Sequence, residues 1–161
     1  MTTQGFVPPI PEAVASLIGQ LVGRKITSKD AKPLVLGTTA RGYVGIYRND
    51  QGALAAVAVM DLPLAANAAA ALVLLPPGVV SESVRAGQLS ANLAENLHEV
   101  MNVLTRFFNV PGNPHVKLQE IVPCPPNLPA DVAALIAKPN AAANAELAIT
   151  GYGSGRVSLY G

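Results

Sequence analysis

A single cysteine, no tryptophan and few charges set the first limits on this chain of 161 residues. Cys124, the only cysteine, excludes an internal disulfide framework and any zinc site built on thiolates; set between Pro123 and Pro125 with no activating base nearby, it reads as a buried thiol. Charged residues make up 13% of the chain, and 11 Lys+Arg against 10 Asp+Glu leave a net charge of +1, so there is no broad field to draw in a polyanion. No basic cluster interleaves with aromatics, and the pattern expected of a nucleic-acid surface is missing. The longest apolar stretch, residues 62–75, is interrupted by Pro63 and Asn67 and is too short to cross a bilayer. Residues 1–9 lack a basic leader followed by an apolar core, and the expectation is a cytoplasmic protein with no membrane partner. The two histidines, His98 and His115, are seventeen positions apart with no carboxylate cluster around them, so no self-sufficient metal site is expected.

Against these absences stands abundant apolar material. Half of the residues are hydrophobic and mean hydropathy is +0.36, enough for a folded core in one domain spanning 1–161. Pro11 opens a helical pattern through Val14, Leu17, Ile18, Leu21 and Val22, and Gly23 is placed to end it. An apolar run at 34–36 precedes a strand at 43–47; the turn signal Asn49, Asp50, Gln51, Gly52 joins it to a second arm at 53–60, apolar enough to be covered on both faces or central in a sheet. Asp61 can cap a helix over 62–75, and Ser81 or Ser83 can cap a long helix running to about 108. Along that helix Leu93, Leu97, Val100, Met101, Leu104, Phe107 and Phe108 form one stripe, leaving Asn92, Glu95, Glu99, Asn102 and Arg106 opposite. A strand over 116–122, a proline-rich turn at 123–129, a short helix over 130–138 and a terminal hairpin of 146–150 with 156–160 complete the pass.

Each half then reads as helix, strand and hairpin, the first hairpin region spanning 35–60 and the second region 116–160. This pseudo-duplication predicts an α/β fold of the α+β type: a sandwich of two long helices on one mainly antiparallel sheet.

The chemistry concentrates at Glu99 and Asn102. Three positions apart on one helix, they share a face. A carboxamide can orient a water for attack on a phosphoryl group while a neighbouring carboxylate docks against a cation, and phosphoryl transfer is mostly a matter of such positioning. Twenty-two residues separate Asn102 from Pro125. Glu, Asn and Pro at this spacing, within this order of elements, resemble the CheC, CheX and FliY family of chemotaxis phosphatases, closest to a CheX-like member with one site. In that family a small acidic or hydroxyl residue stands four positions before the Glu, where this chain has Glu95. A glycine often follows the Asn, where this chain has Val103, Leu104, Thr105 and Arg106.

The resemblance implies a CheX-like sandwich that removes the phosphoryl group from the aspartate of a phosphorylated CheY-like response regulator. Asn102 would hold the attacking water, Glu99 would pair with the regulator's active-site lysine, and Glu95 and Arg106 would contact the partner. Pro125 would support the helix from behind, and the regulator would supply Mg2+. The alternative is a non-catalytic module on the same fold that binds a regulator or self-associates. Exposed hairpin edges at 53–60 and 156–160 predict a homodimer in either case.

Other features have plainer readings. Gly151, Gly153 and Gly155 fit a hairpin bend better than a phosphate loop, because no helix N-terminus follows them. Gly42 and Gly45 mark a bulge or close packing in a strand. Ser90 has no His and Asp placed to form a triad.

Overall fold

The computed structural model describes residues 6–37, 40–124 and 128–161. Helix α1 covers Pro11–Val22; strands β1, β2 and β3 follow at Ile26–Asp30, Gly42–Asn49 and Leu54–Asp61. Helices α2 (Leu62–Leu72), α3 (Pro77–Ala86), α4 (Ala91–Val103) and α5 (Thr105–Phe108) lead to β4 (Val116–Cys124), α6 (Ala130–Ala137), β5 (Ala142–Ile149) and β6 (Gly153–Tyr160). All six strands form one antiparallel sheet in the order β1-β5-β6-β3-β2-β4.

Local chemistry sets most of the boundaries. Pro11 sits in the first turn of α1, and Gly23 ends that helix at φ 71°, its N–H donating to the Gly19 carbonyl at 2.9 Å. In the β2–β3 hairpin the Asn49 side chain accepts from the Gln51 and Ala53 amides, both at 3.0 Å, and Gly52 takes φ 83°. Asp61 caps α2 by accepting from the Leu64 N–H at 2.9 Å, and its other oxygen accepts from the Arg156 N–H of β6 at 3.0 Å. Burial raises the pKa of this carboxyl above its ordinary value, although both backbone donors oppose the shift.

Exchanging the halves α1-β1-β2-β3 and α4-β4-β5-β6 returns the same sheet order read from the opposite edge. The sheet therefore carries the pseudo-duplication as a twofold relation centred between β3 and β6. Helices α1, α2 and α4 cover one face, and their buried residues merge with Tyr47, Met60, Leu147 and Leu159 in the larger core. The alanine-rich α2 is buried along most of its length and packs against α1, α3, α4 and β6, its small side chains letting the layers close up. On the other face Val132 of α6 and Leu34 pack over Val44, Ile46, Val57, Val59 and Tyr160.

Several sequence expectations are corrected here. The long helix starting near Ser81 or Ser83 is interrupted: α3 ends at Gly87, whose φ is 79°, Ser90 caps α4 by accepting from the Leu93 N–H at 3.3 Å, and a turn at Leu104 divides α4 from α5. The helical layer thus holds three helices rather than two long ones. The strand before the first hairpin is β1, not the run at 34–36, which is irregular; there the Leu34 N–H donates to the Ser158 hydroxyl at 3.0 Å. Residues 53–60 and 156–160 are not edges either, because β3 and β6 pair with each other through Val57–Met60 and Val157–Tyr160. The edges are β1 and β4, so the basis for a homodimer through those hairpin strands is removed. Among the described residues no helix is long and apolar enough to cross a membrane.

Candidate functional site

Helix α4 presents its apolar stripe inward and its polar stripe outward, as a rotation of about 100° per residue requires. Leu93, Leu97, Val100 and Met101 are buried, while Glu95, Glu99 and Asn102 are exposed. Glu99 and Asn102 are about 60° apart around the helix and one turn apart along it, so both project from the same outward surface. Neither forms an ion pair or side-chain hydrogen bond with another described residue. Glu95 and Glu99, four positions apart, repel by about 0.2 to 0.5 kcal/mol, which a partner cation would relieve.

The frame beneath this pair is tightly held. Met101 lies over Gly45 of β2, where an added Cβ would stand 3.1 Å from its Sδ and 3.2 Å from the Tyr47 hydroxyl oxygen. Gly45 is therefore the close-packing position that the sequence suggested. The Tyr47 hydroxyl donates to the Met101 carbonyl at 2.6 Å, fixing α4 at the residue before Asn102. Burial raises the phenol's pKa, keeping Tyr47 protonated and able to donate. Tyr47→Phe removes that donor and leaves the carbonyl without this bond. The expected loss is about 1 to 2 kcal/mol of stability, a fall in Tm of roughly 3 to 6 °C that calorimetry would register.

Arg106 falls outside α4, exposed on the next turn in α5 after the break at Leu104. That break comes two residues after Asn102, in the segment where the resembling family often has glycine. Pro125 lies outside the described residues. Cys124 is half-buried and its thiol pKa is raised by desolvation, consistent with an inert role. Among the described residues no three His, Cys, Asp or Glu side chains gather as a metal-binding group.

One feature was not foreseen from the sequence. Between α4 and the edge strand β4 runs an open groove of ≈ 530 Å³, lined by Tyr43, Ala94, Glu95, Leu97, His98 and Ile121. Tyr43 is held in place by its hydroxyl, which accepts the Leu89 N–H at 2.9 Å. No local signal joins these residues, since they come from two strands and a helix that meet only in the folded chain.

No family model and no curated protein matches the sequence. Solved structures do match the fold. FliY from Thermotoga maritima aligns with a TM-score of 0.52 at 14% identity, over 91% of this chain and 80% of that one. The FliM–SpeE complex from H. pylori contains a chain that aligns with a TM-score of 0.59 at 8% identity, over 93% and 80%. A chain of the CheX–CheY–BeF3–Mg2+ complex from Borrelia burgdorferi aligns with a TM-score of 0.52 at 13% identity, over 92% of each chain. The mixed α/β architecture, one antiparallel sheet with its layer of helices, is the fold of the CheC, CheX and FliY group.

Proposed function

We propose that this chain is a phosphatase acting on the phospho-aspartate of a CheY-like response regulator. The observation that carries the reading is the placement of Glu99 and Asn102, exposed side by side on a helix whose opposite face is locked into the core. An amide held this way accepts from and donates to a water, orienting its oxygen towards phosphorus in line with the acyl oxygen. As the new P–O bond forms, the bond to the aspartate oxygen breaks, giving inorganic phosphate and a free carboxylate. Glu99 contributes a fixed negative charge that pairs with the regulator's active-site lysine. Mg2+ belongs to the regulator in this reading, and the chain's own residues contribute position and hydrogen bonds.

The non-catalytic alternative would be favoured by burial of Glu99 and Asn102 in an interface between two copies of the chain; their exposure on the single chain leaves them open to a partner, as the enzymatic reading requires. The fold shared with the CheX–CheY complex supports the same class of partner. Phosphate release from purified phosphorylated CheY-like regulators, followed in Mg2+ with and without this protein, tests the reading. Faster release at substoichiometric protein is expected. Identical decay across a panel of such regulators would overturn it.

A further inference from the structure

Resting on the reading that α4 meets a response regulator, we infer that the groove between α4 and β4 is a specificity pocket for a long cationic side chain, lysine or arginine, carried by that partner. Its walls are apolar: Tyr43, Ala94, Leu97 and Ile121 offer an aromatic ring and aliphatic carbon with almost no hydrogen-bonding demand. Its lining also carries a carboxylate, Glu95, one turn before Glu99 on the same outward surface. The chain's ion pairs among the described residues, Lys29 with Glu146, Arg48 with Asp131 and Lys117 with Asp50, leave Glu95 and Glu99 without cations of their own.

An apolar trough with a carboxylate in its lining matches a side chain that buries a methylene stem and keeps a charged head at its end. The Tyr43 ring provides a surface for that stem, while Glu95 receives the head. A purely aliphatic occupant would leave the carboxylate unused and would desolvate it at a cost; an acidic occupant would meet repulsion. Glu95 and His98 both line the groove and Glu95 stands one turn before Glu99 on α4, so a cation seated there would set the position of the partner relative to the reacting pair. Glu95, which departs from the small first residue of the resembling motif, then acts as a selector of regulators rather than as a defect in the site.

Two measurements separate this pocket from the phosphatase reading. The first is an NMR titration of the unmodified protein with n-butylguanidinium, a cation on an aliphatic stem, and with n-pentanoate, a similar stem of opposite charge. Saturable shifts of the Ala94 and Ile121 methyls with the cation alone are expected, with affinity weakened about fivefold in Glu95→Gln, the upper end for an exposed ion pair. Equal binding of both probes, no binding, shifts mapped elsewhere, or self-association that closes the groove before any probe is added would overturn the pocket.

The second measurement is steady-state dephosphorylation of a CheY-like regulator. Glu95→Gln is expected to raise KM about fivefold, the same exposed-pair limit, with a much smaller effect on kcat. A change confined to kcat would overturn the selector role. Failure of the wild-type protein to release phosphate would count against the phosphatase reading, while the titration still decides what the groove accepts.

Discussion

Asn102→Ala is expected to slow phosphate release from a phosphorylated regulator by about 10²-fold to 10³-fold, the usual effect of deleting one well-placed hydrogen-bonding group at a reacting centre. The same substitution should leave Tm essentially unchanged. Asn102 is exposed and makes no side-chain hydrogen bond to a described residue, and alanine is the better helix former at such a position. Asn102→Asp separates the role of the amide from that of side-chain volume. It keeps the shape but places a carboxylate beside a charged phosphoryl group, so it should be as slow as the alanine variant. Single-turnover decay of the phosphorylated regulator reads all three proteins directly, and equal rates would remove Asn102 from the mechanism.

Gly155→Ala is expected to have a large effect on stability. A Cβ at this position of β6 would stand 2.5 Å from the Leu64 amide nitrogen, 2.6 Å from the Asp61 Oδ1 and 2.6 Å from the Leu64 Cβ. Two of those three atoms form the cap of α2, so the helix must move off the sheet or give up its cap. Overpacking of about 1 to 3 kcal/mol combined with a lost cap of about 1 kcal/mol gives a loss of roughly 3 kcal/mol and a fall in Tm of about 6 to 12 °C. Gly78→Ala is the contrasting control. Nothing lies within 4 Å of a Cβ there, and the residue is in helix α3. It should stabilise by about 0.5 to 1 kcal/mol. Urea unfolding of the two variants beside the parent protein checks both signs, and a harmless Gly155→Ala would show that α2 does not sit where the geometry puts it.

Features written in the sequence within four or five residues were the ones it revealed. Pro11 with Gly23, the Asn49 turn, the Asp61 cap and the terminal hairpin all depend on near neighbours along the chain. The outward placement of Glu99 and Asn102 was legible for the same reason, because it needs only the helical repeat and a clear apolar stripe.

What escaped was long-range. Strand β1 is short and polar, with Thr27, Lys29 and Asp30 exposed, and it is extended because β5 lies beside it. The break at Gly87 was hidden because Ser81 or Ser83 offered a cap upstream of it, while the apolar stripe that marks the helix, Leu93 to Phe108, lies wholly beyond it. The supposed hairpin edges became the middle of the sheet, since a strand's second neighbour is not encoded in its own alternation of side chains. The groove beside α4 has the same origin: Tyr43 and Ile121 come together through β2 pairing with β4, across more than seventy residues of chain.

The position of β6 has a consequence for how the protein is made. One of the two innermost strands of the sheet, β6, comes sixth in chain order among the described strands, so β3 has no partner on that side until residues 157–160 have left the ribosome. Until then each half offers an unzipped apolar border to the cell, and vectorial folding from the N-terminus cannot seal it. Deleting residues 153–160 would therefore empty the centre of the sheet rather than trim its rim, and the sheet should close only once β6 has joined it.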